Sequence, residues 1–315
     1  MERKTALITG GSGYLGVHLA KELNQRGWRV ITLDLKNPVE YFNVGYIGDV
    51  RDKDILTKIF KSDKIDTVFH LAGRIEVGES FKEPTVFYDH NLAGTCNLLH
   101  MMVTHDVKNI VYSSSAAVYK QQDDNIREDG EIAHNSPYGY TKYASECAIR
   151  DSGLNHVIFR YFNLAGADPD GEFGESHDPE THLIPRILQN LNSFQIYGND
   201  YNTTDGTCIR DYVHVSDVAV AHVDGALHLL AGRENSTLNL GTGLGYSVLE
   251  IIGKIEQITE QKITYNYLPR RPGDPSRLVA DITLAKKVLN FEPKHDIISI
   301  LKTAYGWQKK HDKKI

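Results

Sequence analysis

Thr5-Ala6-Leu7-Ile8-Thr9-Gly10-Gly11-Ser12-Gly13-Tyr14-Leu15-Gly16 decides the fold of this 315-residue chain. The first five residues read as a short buried strand, and residues 15–25 read as a helix that stops at Gly27. Glycines between the two permit a tight turn, let the backbone approach a pyrophosphate, and allow the helix to pack closely on the strand. The helix start offers unpaired N–H groups to an anion. A loop of this kind is completed by an acid about 20 residues further on, and Asp34 stands there, at the end of the next apolar run. Its carboxylate suits the hydroxyls of an adenosine ribose and would repel a 2′-phosphate, which favours NAD over NADP, with Lys36 as the one opposing charge nearby. Asp49, after the third run, reads either as a partner for the adenine amino group or as a bare helix-capping acid.

The same alternation continues outward from this loop. Short β-branched runs at 5–9, 29–33, 44–47, 67–71, 109–113 and 156–161 predict strands with helices between them. That rhythm means βαβ units and a parallel sheet covered on both faces. The expected fold is α/β, a doubly wound parallel sheet of the Rossmann type with a smaller, mixed α/β C-terminal substrate domain. After residue 165 the rhythm becomes irregular, and Asp168-Pro169-Asp170-Gly171 is a turn cluster. Domains are therefore expected at 1–165, for the dinucleotide, and 166–315, for the substrate, with about 209–232 returning to the first. Later helices are expected at 216–230, from the capping box Ser247-x-x-Glu250, and at 296–309.

Composition narrows the function. A net charge of −6, with neither half basic, speaks against nucleic acid, and 41% hydrophobic with 24% charged residues is an ordinary soluble balance. No apolar run approaches the roughly 18 residues of a membrane span. Met1-Glu2-Arg3-Lys4 leads into too short an apolar run for a signal peptide, so a cytoplasmic location is expected. Cys96, Cys147 and Cys208 match neither a disulfide framework nor a metal knuckle; all three read as buried thiols, and no metal site is expected.

Two Tyr-x-x-x-Lys pairs occur. Tyr305 and Lys309 belong to the last helix and are assigned to packing and surface. Tyr138 and Lys142 follow Ser136-Pro137, where serine caps a helix and proline takes its first position, and they lie downstream of a strand ending in Ser113-Ser114-Ser115. A four-residue helical spacing puts Tyr138 and Lys142 on one face, where the ammonium favours phenolate. An oxidised nicotinamide, itself cationic, pushes the same way. The expected result is a general base usable near neutrality, with Ser115 relaying to a substrate hydroxyl.

With the glycine loop, the serine strand and the Tyr-Lys pair in place, the chain resembles the extended short-chain dehydrogenases/reductases, and within them the UDP-glucose (UDP-galactose) 4-epimerases, almost end to end. The strings that carry the resemblance are His70-Leu-Ala-Gly73, Val77-Gly-Glu-Ser80, Asn91-Leu-Ala-Gly-Thr95, Ser113-Ser-Ser-Ala116, Ser136-Pro-Tyr-Gly139, Arg160-Tyr-Phe-Asn163, Tyr197-Gly-Asn-Asp200, Arg210-Asp-Tyr-Val-His-Val215 and Pro269-Arg-Arg-Pro-Gly-Asp274. The resemblance implies NAD contacts at Gly10, Gly13, Tyr14, Leu15 and Gly16, at Asp34, Asp49 and Val50, at Leu71, Ala72 and Gly73, at Asn91 and Ser113, and at Tyr138, Lys142 and Tyr161. It implies UDP-hexose contacts at Ser115, Tyr138, Asn163, Leu183, Tyr197, Arg210, Arg271, Asp274 and Leu278. Arginines suit a diphosphate and a planar residue suits a uracil edge. The implied reaction removes a proton through Tyr138 and a hydride from sugar C4, turns the 4-keto sugar over, and returns the hydride to the other face. A homodimer through helices of the cofactor domain is also implied.

Some positions depart from the common pattern. Ile75 stands where lysine is frequent, His90 where asparagine is, and Lys120 where glycine is, while the segment between Asp34 and Gly48 is short. Leu278 is intermediate between the large residue that restricts the sugar pocket to plain hexoses and the small one that admits N-acetylated sugars, so a UDP-N-acetylglucosamine or dual-specificity epimerase stays open. A nucleotide-sugar dehydratase or decarboxylase needs acids beside the catalytic serine, where this chain has Ala116 and Ala117. A non-catalytic NAD-binding protein on the same fold has no need of Tyr138 and Lys142, and both are present.

Overall fold

A computed structural model of the chain describes residues 3–39, 41–133, 135–271 and 273–311. Met1 and Glu2 of the N-terminal segment and Pro272 of the Pro269–Asp274 string lie outside them. The chain divides into two compact units, one of residues 1–120, 131–160 and 219–238, the other of residues 121–130, 161–218 and 239–315.

Seven strands form the main sheet, in the order Ser236–Leu240, Asn155–Tyr161, Asn109–Ser113, Thr67–His70, Thr5–Thr9, Arg29–Asp34, Val44–Ile47. From Thr5–Thr9 the chain first builds outward to one side and then returns to build the other, pairing in parallel on both sides. The two directions part between Thr5–Thr9 and Thr67–His70, the point where doubly wound sheets take ligands. Thr5–Thr9 and Thr67–His70 are buried along their whole length because helices cover both faces. Leu7, Ile31, Leu56, Leu98, Ile110 and Ile149 anchor the core between the sheet and the helices Lys53–Ser62, Gly94–Thr104 and Pro137–Asp151.

The second unit has its own core, in which Ile184, Phe194, Tyr212, Ile251 and Ile300 meet. Its central strand is Ile209–His214, parallel to Asn163–Ala165 and Arg277–Leu278 and antiparallel to Gly245–Ser247. The capping box forms as expected: Ser247 Oγ accepts from Glu250 N at 3.1 Å and Glu250 Oε2 accepts from Ser247 N at 2.7 Å. Among the described residues no helix is long and apolar enough to cross a membrane.

The cysteines need a correction. Cys208 is buried, but Cys147 is only partly buried and Cys96 is exposed. Cys96 shares the outer face of Gly94–Thr104 with His100 and Val103, while Leu98, Leu99 and Met102 fill the inner one. Helical periodicity overrides the usual preference of a thiol for the core.

Candidate active site

The glycine loop is shaped by what glycine alone allows. Gly10 sits at φ +77°, and a Cβ there would stand 2.7 Å from the backbone nitrogen of Ala72. The loop can therefore lie against Leu71–Gly73, whose first residue donates from N to Thr9 O at 3.0 Å. At Gly16 a Cβ would stand 2.4 Å from Gly11 O, so the helix Tyr14–Gln25 begins hard against the turn. Gly13 is the N-cap, and no side chain caps the helix, which leaves a first turn of the kind that receives phosphate oxygens. Asp34 is drawn to the same place: Oδ2 accepts from Ser12 N and Oδ1 from Lys36 N, both at 2.9 Å. A bare helix start beside a fixed carboxylate fits the pyrophosphate and ribose of NAD.

Asp49 is not the helix cap. That place belongs to Asp52, whose carboxylate accepts from Asp54 N and Ile55 N. Asp49 is instead clamped by Arg51, Nε at 3.0 Å and Nη2 at 2.6 Å, and these bonds hold its carboxyl below the usual range. Val50, between them, is buried. Asn91 lies in a π-helical stretch, Tyr88–Ala93, a local widening that often marks functional positions. Its side chain accepts from Arg74 N at 2.7 Å and donates to Arg74 O and to Thr141 Oγ1, both at 3.1 Å. Asn91 thus ties the loop after Gly73 to the helix that carries Tyr138.

That helix, Pro137–Asp151, starts at Ser136, whose Oγ accepts from Gly139 N at 3.0 Å. A Cβ on Gly139 would stand 2.3 Å from Ala117 O. The missing side chain lets the helix start touch the turn Ala116–Val118, which Ser115 caps by accepting from Ala117 N at 3.1 Å. This sets the Ser115 hydroxyl beside the Tyr138 phenol, close enough to act on its proton. Lys142, one turn on, is buried and donates to Ser113 O at 2.8 Å.

The electrostatics depart from the expectation of a phenol lowered by Lys142. Burial raises Tyr138 above its ordinary value, the Ser115 hydrogen bond pulls the other way, and the charge of Glu76 adds to the rise. Burial also brings Lys142 down to about 8, so it remains mostly cationic at neutral pH. Its ammonium is directed at the Ser113 carbonyl.

Beneath this constellation lies a buried network that motif reading did not find. Glu146 sits four residues beyond Lys142 and eight beyond Tyr138, on the same helical face, and is 0% exposed. Its carboxylate accepts from Ser114 Oγ at 2.5 Å, from Arg160 Nε at 2.9 Å and Nη2 at 2.6 Å, and from Arg150 Nη2 at 2.7 Å. These bonds fasten the helix that carries Tyr138 to the strand end beside Ser115 and to the neighbouring strand. Ser113 Oγ meets His222 Nε2 at 3.0 Å. His70 spans Thr9 Oγ1 and Thr95 Oγ1 at 2.7 and 2.8 Å, and burial takes it down to about 3, so it stays neutral. The helical spacing of Glu146 was the signal available in the sequence; His70 and His222 carried none. Tyr161 closes the strand Asn155–Tyr161 and is half-buried.

In the second unit, strand register sets Leu278 beside Arg210 and Asn163 beside Tyr212. Arg210 is buried, donates to Ile209 O at 2.7 Å, and pairs with Asp274. The Arg271 guanidinium lies 4.2 Å over the ring of Tyr197, an attractive cation–π arrangement. The structure thus gathers Asn163, Arg210, Asp274 and Leu278 around one strand, and Tyr197 with Arg271. Leu183 opens the helix Leu183–Gln189 and packs on the second core, joining neither group by a described hydrogen bond or ring contact. An open cavity of about 470 Å³ is bordered by Gln121, Asp200, Arg270, Asp274 and Ser276; among the expected substrate residues, Asp274 alone borders it.

Likenesses to known proteins run over the whole chain. The NAD dependent epimerase/dehydratase family matches residues 6–241. A UDP-glucose 4-epimerase of Rhizobium meliloti is 40% identical over 325 residues, covering 99% of each chain. The crystal structure of UDP-glucose 4-epimerase from Brucella ovis in complex with NAD superposes with a TM-score of 0.92 at 38% identity, covering 96% of this chain and 98% of that one. The enzyme from Bifidobacterium longum in complex with NAD+ and UDP gives 0.91 at 36% identity, covering 98% and 99%. By its motifs, its sheet and these full-length likenesses, the chain belongs to the NAD dependent epimerase/dehydratase family.

Proposed function

We propose that this chain is a UDP-glucose 4-epimerase that interconverts UDP-galactose and UDP-glucose. The observation that carries the reading is Ser115 set beside Tyr138, with Lys142 one turn on, in a chain whose full-length relatives at about 40% identity are UDP-glucose 4-epimerases. In this reading the first unit holds NAD through the Gly10–Gly16 loop, Asp34, Asp49, Asn91 and Lys142, and the second holds UDP-hexose.

NAD, when bound, supplies a hydride acceptor and donor for sugar C4 and a positive charge that favours the Tyr138 phenolate. Tyr138 Oη takes the proton of the 4-hydroxyl and later returns one, and Ser115 Oγ relays between them. Lys142 holds charge and cofactor ribose. Arg210 and Arg271 hold the diphosphate by charge-assisted bonds, with Asn163 at the phosphate end and Leu183 and Tyr197 toward the uracil. Leu278 borders the hexose. Firm UDP binding leaves the 4-keto sugar free to turn over, while Ala116 and Ala117 offer no proton for elimination. A cytoplasmic homodimer belongs to the same proposal.

Purified chain given UDP-galactose is expected to form UDP-glucose without added NAD, and light scattering on the same sample to give twice the chain mass. No conversion even with NAD supplied refutes the epimerase reading; a single-chain mass refutes the dimer.

A further inference from the structure

Residues 175–182, Glu-Ser-His-Asp-Pro-Glu-Thr-His, fold so that four side chains converge, none of them assigned to NAD or to UDP-hexose. One ligand atom from each of Glu175, His177, Glu180 and His182 lies within 4.8 Å of all the others. His177 Nδ1 is 3.6 Å from Glu175 Oε1 and 3.4 Å from Glu180 Oε2, and His182 Nδ1 contacts Glu175 Oε1. Both carboxylate side chains are only 5% exposed. Their orientation is fixed by the loop itself: Glu180 accepts from His177 N at 3.3 Å and from His182 N at 2.9 Å.

We propose that Glu175, His177, Glu180 and His182 form a structural site for one divalent zinc-type cation. Two imidazole nitrogens and two carboxylate oxygens make a four-donor set suited to tetrahedral zinc, whereas magnesium and calcium take mainly oxygen donors in larger number. Charge points the same way, because two carboxylates and two imidazoles bound as neutral ligands would be balanced by one doubly charged ion. Tetrahedral zinc at about 2.0–2.2 Å from each donor holds its donors roughly 3.3–3.6 Å apart, and a set whose members all lie within 4.8 Å of one another is of the size to take it. The ion would pin the loop to its last residue, His182, the N-cap of the helix Leu183–Gln189. Cysteine spacing gave no hint of this site, because its donors are histidine and glutamate brought together by a turn.

The test uses the full chain, stripped by a chelator and dialysed against Zn²⁺ alone, with bound metal counted by mass spectrometry. One Zn²⁺ per chain is expected at micromolar free ion, with a raised Tm, and Co²⁺ in its place is expected to give the visible absorption of a tetrahedral site. The double variant His177→Gln/His182→Gln is expected to bind none. If that variant does not fold, His182→Gln, which keeps three donors, is expected to bind at least about tenfold more weakly. Less than about a tenth of an equivalent bound by the native chain, undiminished binding by the double variant, or unchanged affinity in His182→Gln overturns the proposal.

Discussion

Tyr138→Phe is expected to keep its fold and its bound NAD while turnover falls roughly 10²- to 10⁴-fold, the range that a positioned acid–base group contributes. The change removes one oxygen and leaves the packing untouched. The ring still meets Phe87 edge-on at 6.5 Å, and the helix start still rests on Ala117 through Gly139. What disappears is the oxygen through which, in the proposed mechanism, this residue acts on Ser115 and the sugar hydroxyl. Because that interaction strengthens as the proton leaves, kcat and kcat/KM are expected to fall together while substrate affinity holds. Steady-state kinetics with the bound-cofactor absorbance measured alongside would check this. Full turnover in the variant would show that the proton goes elsewhere, and loss of cofactor together with turnover would show a structural role instead.

Glu146→Gln is expected to lower stability by about 3–5 kcal/mol, the usual result of removing one partner from a buried ion pair. The Arg160 side chain is 4% exposed, and in the variant its guanidinium would face a neutral amide whose NH₂ repels the donors that the carboxylate accepted. For a unit of this size the loss corresponds to a fall in Tm on the order of 10 °C. Burial pushes the Glu146 carboxyl up, but the bonds from Arg160, Ser114 and Arg150 outweigh it and hold it below the ordinary glutamate value. A depressed folded pKa contributes stability that is present above the unfolded value, about 4.3, and is lost as pH falls through the folded one. The variant should therefore show a shallower loss of stability on acidification than the native chain, alongside a lower plateau at neutrality. Thermal melts across that range measure both, and a variant with the native plateau contradicts the assigned role of this network.

The features legible in the sequence were those whose physics is local. Gly10 and Gly16 announce a backbone constraint within a dozen residues, and Tyr138 with Lys142 follows from one helical turn after a Ser-Pro start. The strands from Thr5–Thr9 to Asn155–Tyr161 and their parallel pairing follow from the alternation of apolar runs with helical stretches. The spacing of Glu146 from Tyr138 and Lys142 was legible, but its union with Arg160, that of Ser113 with His222, and that of His70 with two threonines were not, because tertiary packing makes them. Asp49 was half legible: the chain supplies Asp52 as a cap three residues later, which releases Asp49 to Arg51. Motif spacing likewise gives the proximity of Tyr138 and Lys142 along a helix but not the burial that raises the phenol.

The central claim is that hydride leaves sugar C4 and returns to the same carbon within one active site. UDP-galactose carrying deuterium at C4 tests it most directly, with the product examined by NMR after conversion in ordinary water. UDP-glucose that retains the deuterium at C4, with none appearing at C3 or C5 and no solvent hydrogen gained, is the predicted result. Washout of the label to water, or its replacement by solvent hydrogen at C4, would contradict the account.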